Sequence, residues 1–185
     1  MYYGAIKKCD IANGEGIRVS LFVSGCRNGC PGCFQPETWD FTYGKLFDNS
    51  AEELILSALS NASVRGITIL GGEPLEPENQ TEICRLLCKV KERFPEKNVW
   101  LYTGATYEQL VGREENRYHT EYISEILSLV NILVDGPYIK EEKSLGLRFR
   151  GSKNQRIIDM DKTRDMGEVV IWSGTKEDKC YDSKN

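Results

Sequence analysis

The chain has a single histidine, His119, and no apolar run approaching the roughly 20 residues that span a bilayer. With no Ser/His/Asp grouping around that histidine, the sequence offers no nucleophilic triad. Basic excess is also lacking: 24 Lys and Arg stand against 28 Asp and Glu, a net charge of −4, so a nucleic-acid or anionic-membrane footprint is not expected. The opening MYYGAIKKCDIANGEG contains no apolar segment of the kind that directs export, and the expected address is the cytoplasm. No internal repeat, low-complexity block or linker interrupts the 185 residues, which suit one domain but fall short of the roughly 250 of a complete eight-fold α/β barrel.

Seven cysteines are present, and they carry the functional argument. An odd count, unevenly spaced and without an export signal, does not describe a disulfide framework; thiols in a reducing compartment more often bind metal or do redox chemistry. Three lie within eight residues, Cys26-Arg-Asn-Gly-Cys30-Pro-Gly-Cys33, followed by Phe34. Gly25, Gly29, Pro31 and Gly32 make this a tight loop that can turn three sulfurs toward one centre, and glycines let backbone amides approach an inorganic core. A four-iron cluster normally takes four thiolates, so three leave one iron open to a small molecule. The competing reading is structural zinc, with His119, Cys9, Cys84, Cys88 or Cys180 as a fourth ligand. Zinc motifs usually come as two close pairs, and no second pair with that spacing occurs, which favours the cluster.

Apolar patterning alternates between strand and helix. Arg18–Ser24 reads as a buried strand running into the cysteine loop, Gly66–Leu70 as a strand ending at Gly71-Gly72, Asn98–Tyr102 and Val130–Val134 as two more. Between them, 49–60, 79–94, 106–111 and 121–129 read as helices, the first opened by a Ser50/Glu53 capping box. Arg148–Met160 is expected to hold one or two short strands, and Thr175–Asn185 a polar tail. Such alternation implies βαβ units and a mostly parallel α/β sheet, whose sites gather at the carboxyl ends of strands. The cysteine loop, Gly71–Pro74, Thr103-Gly104 and Asp135–Pro137 should therefore share one rim.

The triplet resembles the CxxxCxxC motif of the radical S-adenosylmethionine superfamily, and Gly71-Gly72-Glu73-Pro74 resembles the GGEP motif that binds the methionyl ammonium there. One departure is Gly32 where many members have an aromatic; Phe34 follows Cys33 instead, placed to pack over adenine or the cluster. Asp10–Arg18, Leu21–Cys26, Cys30-Pro31-Gly32-Cys33-Phe34, Thr38-Trp39, Val134–Pro137 and Arg150–Arg156 look like the anaerobic ribonucleoside-triphosphate reductase activating proteins, in consistent order over roughly residues 5 to 160. The resemblance implies a partial, open βα barrel over 1–160 with a C-terminal extension over 161–185. It implies a [4Fe-4S] cluster on Cys26, Cys30 and Cys33, and S-adenosylmethionine against Gly32, Cys33, Phe34, Gly71, Gly72, Glu73 and Pro74. Its partners would be the glycyl-radical subunit of the reductase and an electron donor such as flavodoxin or ferredoxin. A pyruvate formate-lyase-type activase, or a small-molecule enzyme such as 7-carboxy-7-deazaguanine synthase, keeps the chemistry and changes the target.

Other residues carry weaker expectations. Cys84 and Cys88, four apart on a helix, read as small buried hydrophobes, His119 as a cap or surface residue, Trp39 and Trp100 as packing, Lys140–Lys143 as a solvated face. Tyr102 and Asp135 are rim candidates, and the basic loop Arg150–Arg156 is expected to receive the partner's glycine-bearing loop.

Overall fold

The computed structural model describes residues 1–144 and 146–174, so the polar tail expected over Thr175–Asn185 lies outside the described residues. One seven-stranded sheet organises them, in the order β3-β1-β2-β4-β5-β6-β7. The strands are β1 (Tyr2–Asp10), β2 (Ile17–Val23), β3 (Lys45–Leu46), β4 (Val64–Gly71), β5 (Asn98–Tyr102), β6 (Ile132–Asp135) and β7 (Arg156–Asp159). The central four, β2-β4-β5-β6, are parallel, while β1 and β7 flank them antiparallel. The sheet is mixed and open, and its edges do not close into a barrel.

Among the described residues five α-helices accompany the strands: α1 (Asn49–Leu59), α2 (Pro77–Arg93), α3 (Tyr107–Val111), α4 (Ile123–Leu129) and α5 (Met160–Met166). The cap of α1 differs from the Ser50/Glu53 expectation. Asp48 is the N-cap, accepting from the Ala51 amide at 3.0 Å, and Ser50 donates its hydroxyl to the same carboxylate at 2.6 Å. Helix α2 opens with Pro77 at its first turn, where a missing N–H costs nothing. In α3 the Thr106/Gln109 capping box is complete. Among the described residues no helix is long and apolar enough to cross a membrane.

Period-two alternation divides β5 and β6 between two cores. Val99, Leu101 and Leu133 face the large cluster shared with Ile55, Leu59, Ile83, Leu87, Ile126 and their neighbours on the helices. Trp100, Ile132 and Val134 point the other way, into a smaller cluster with Tyr102, Phe149 and Trp172. Trp100 and Trp172 meet edge to face at 5.2 Å, so the chain beyond residue 160 returns to the sheet; Trp172 donates its amide to the Ile157 carbonyl at 2.8 Å.

Candidate functional site

Cys26 follows β2 directly, and the loop it opens is tied down on both sides. The Gly25 amide donates to the Thr38 carbonyl at 2.8 Å, the Glu73 amide to the Gly25 carbonyl at 2.8 Å, and the Cys33 amide to the Cys30 carbonyl at 3.1 Å. Gly32, just before Cys33, has φ +75°, a conformation that L side chains rarely adopt. Gly71, where β4 turns, has φ +114°, and an added Cβ would lie 2.6 Å from the Val23 carbonyl oxygen.

These turns border one cavity of about 480 Å³. Cys26, Cys30, Cys33 and Phe34 line it from the first loop, and Gly71-Gly72, Tyr102–Gly104 and Gly136 from the ends of β4, β5 and β6. The rim expected from patterning is therefore a single wall around one space, of a size usual for small-molecule sites, about 300–1,000 Å³. Asn13, Trp39 and Tyr138 are among the groups that line it from outside the parallel strand ends. Beneath, Arg18 is wholly buried. It donates to Thr68 Oγ1 at 2.6 Å, Asn98 Oδ1 at 2.7 Å and the Ile67 carbonyl at 2.7 Å, and lies 5.4 Å from the Trp100 ring centroid. Burial lowers its pKa to about 10.

All three thiols are free of disulfides and partly accessible. Burial, reinforced by the Glu73 and Glu76 carboxylates, pushes the Cys26 thiol up to about 11 against a hydrogen bond from the Asn28 backbone. The sulfurs are not gathered for a single ion. Among the described residues only Cys84, Cys88 and Glu125 bring three ligand atoms within 4.8 Å of one another, so at least one pair in the triplet is wider than that. Three thiolates on one tetrahedral zinc, each about 2.3 Å from it, would sit roughly 3.8 Å apart. Three free thiols on one cavity wall are a donor set that suits a cluster with one iron lacking a protein ligand.

The carboxylate of Glu73 is not available in the way its motif suggests. The side chain is fully buried and does not line the cavity. Its Oε1 accepts from the Leu75 amide at 3.0 Å, and its Oε2 from the Gly104 amide at 2.8 Å and Asn28 Nδ2 at 2.9 Å. Burial raises its pKa, opposed by those three donors. What the motif presents to the cavity is the Gly71-Gly72 backbone, and Pro74 lies outside the lining with Glu73. Asn28 also accepts from Tyr118 Oη at 3.1 Å and from Arg117. Glu76, likewise buried, accepts from the Arg27 amide at 2.8 Å and pairs with its guanidinium at 2.6 Å. Sequence reasoning missed Asn28, Glu76, Arg117 and Tyr118, because nothing local marks residues that act through partners 40 to 90 positions away.

Two basic segments are placed differently from expectation. Lys140–Lys143 is not merely solvated: Lys140 carbons pass 3.0 Å from where a Gly32 Cβ would stand, and Lys143 Nζ sits 4.6 Å from the Phe34 ring centroid. Phe34 itself is 68% exposed and tilts against Tyr138 at 5.7 Å, so it flanks the cavity mouth. In the Arg150–Arg156 loop, Arg156 is committed within the fold to buried Asp135 at 2.5 Å and to Glu108 at 2.7 Å, and Arg150 donates to the Gln155 carbonyl at 2.7 Å. His119 is a surface-loop residue bonded to the Gln109 carbonyl at 2.9 Å.

The family described as "4Fe-4S single cluster domain" matches residues 12–158, spanning the cysteine loop and all the rim turns. An anaerobic ribonucleoside-triphosphate reductase-activating protein of Enterobacteria phage T4 is 40% identical over 157 residues, 85% of this chain and 93% of its own length. Proteins of the same name from Escherichia coli K12 and Vibrio cholerae are 34% and 35% identical over 159 residues, again 85% of this chain and 97% of theirs. The chain belongs to the anaerobic ribonucleoside-triphosphate reductase-activating protein family. These relatives name the reductase, and none of the three names pyruvate formate-lyase.

Proposed function

We propose that this chain activates an anaerobic ribonucleoside-triphosphate reductase by radical S-adenosylmethionine chemistry, acting as a glycyl-radical-enzyme activase of the oxidoreductase class. The reading rests on one observation: three unbridged thiols and the Gly71-Gly72 backbone line the same cavity of about 480 Å³. Cys26, Cys30 and Cys33 would ligate three irons and leave the fourth for the methionyl amino and carboxylate groups. Held there, cluster and S-adenosylmethionine would supply a 5′-deoxyadenosyl radical for abstraction of an α-hydrogen from a reductase glycine, methionine leaving as the C5′–S bond takes one electron from a donor such as flavodoxin or ferredoxin.

The residues of this chain supply aim and shelter. Carbonyls of the Gly71-Gly72 turn accept from the substrate ammonium, while Glu73, locked behind that turn, holds it in register with Gly104 and Asn28. Gly32 allows close approach of backbone beside Cys33, and Phe34 and Tyr138 flank the mouth where adenine or the partner's loop would lie. In this reading the open sheet is the partial barrel of the radical superfamily, its unclosed side admitting the reductase glycine.

Anaerobically reconstituted protein, reduced and mixed with S-adenosylmethionine and the reductase, should release 5′-deoxyadenosine and give a glycyl-radical doublet in electron paramagnetic resonance. Full cluster loading with neither product would reject the reading.

A further inference from the structure

Away from the cavity, Cys84 and Cys88 stand one turn apart on α2, and Glu125 reaches them from α4. Cys84 Sγ, Cys88 Sγ and a Glu125 carboxylate oxygen all lie within 4.8 Å of one another, and Cys88 Sγ is 3.4 Å from Glu125 Oε1. Both thiols are free. Among the described residues no Lys or Arg pairs with Glu125, whose carboxylate meets the thiols on one side and solvent on the other. Burial is graded: Cys84 is buried, Cys88 partly so, and Glu125 exposed, which leaves one side of the trio open to solvent.

We infer that Cys84, Cys88 and Glu125 form a second metal site, for a soft divalent ion of the zinc type, independent of the cluster cavity. Two thiolates and one carboxylate are ligands that zinc favours, at about 2.3 Å and 2.0–2.2 Å, and tetrahedral coordination leaves the solvent-facing corner for water. Helical i, i+4 spacing puts both sulfurs on one face, and side-chain rotation of less than an ångström or so brings them to the roughly 3.8 Å separation that one tetrahedral ion requires. Binding forms two Zn–S bonds and one Zn–O bond and releases the two thiol protons to solvent; no electron moves. The ion would clip α2 to α4, covering the face of the sheet opposite the small aromatic cluster.

The test uses the cluster-loaded protein, with zinc and iron measured together after incubation with zinc chloride and removal of loosely held ion by a weak chelator. The expected result is about one zinc per chain alongside undiminished iron. Cys88→Ala and Glu125→Gln, both at accessible positions, should each lose that zinc while keeping the iron; because second-shell changes already weaken metal binding 10–100-fold, loss of a direct thiolate should exceed about 100-fold. Zinc should also slow alkylation of Cys88 by iodoacetamide, mapped by mass spectrometry. Absence of bound zinc, its retention in Cys88→Ala, or its loss in Cys26→Ala instead would each overturn the assignment.

Discussion

The turn after β4 and the loop after β2 border the same cavity, yet they use their polar atoms in opposite ways. At Gly71–Pro74 the one charged side chain, Glu73, is fully buried and accepts from three donors. At Cys26–Cys33 three thiols remain unbridged and partly accessible. Asn28 joins the two, donating to Glu73 from within the cysteine loop. A loop with open coordination capacity is thus braced by a turn that has none left. Rigid placement of reactive atoms requires this division, because a buried carboxylate tolerates no missing partner, whereas a ligating thiol must have no competing one.

Removing the reactive side of the comparison should have the largest effect. Cys26→Ala, Cys30→Ala or Cys33→Ala should abolish cluster binding and activation while leaving the far-ultraviolet circular dichroism unchanged; iron retained at full loading in any of them would remove that cysteine from the ligand set. Removing the brace comes next. Glu73→Ala leaves the Leu75 and Gly104 amides and the Asn28 amide group without an acceptor, at about 1–3 kcal/mol each, so urea denaturation should show a loss of at least about 3 kcal/mol. A loss under about 1 kcal/mol would mean that the carboxylate does not brace the turn.

Gly71→Ala tests the turn's backbone rather than its carboxylate. With φ +114° and a Cβ facing the Val23 carbonyl at 2.6 Å, it should cost about 1–3 kcal/mol and raise the KM for S-adenosylmethionine. Unchanged stability would show that the turn yields. The smallest effect belongs to the outer rim, where the Arg156 guanidinium holds the Glu108 carboxyl below its usual value of 4.5. A carboxyl with a depressed folded pKa stabilises above that usual value and loses its contribution as pH falls through the lowered one. Glu108→Gln, which leaves the Arg156–Asp135 pair in place, should therefore flatten the acid limb of a stability–pH profile below about pH 4.5, modestly because the carboxyl is exposed. An unaltered limb would show that the pair is electrostatically idle.

Legibility from sequence followed the range of the interactions. Strands β2, β4 and β5 are runs of β-branched and aromatic residues buried on both faces, and they were readable as such. Strand β1 was not, because its Lys7, Lys8 and Gly4 lie exposed near the sheet edge and the segment is a strand only through its pairing with β2 and β3. Helix α5 was missed because Met160–Met166 buries only Met160 and Thr163, too few to show a period. The Glu73 carboxylate read as an ammonium ligand because the motif alone does not tell which way a side chain faces.

By itself the sequence determined the alternation of β2, β4, β5 and β6 with the helices between them, the strand-end position of every rim turn and the grouping of three cysteines in one loop. These depend on local spacing: hydrophobic period sets the strands, and residues within eight positions of each other cannot be far apart in space. The tertiary structure alone decided that Glu73 faces inward, that Arg18 lies beneath the cavity, that Arg156 is held by Asp135, and that Glu125 meets Cys84 and Cys88. Those outcomes rest on contacts spanning 21 to 50 positions, whose partners are chosen by packing and by the cost of leaving a buried charge unmatched.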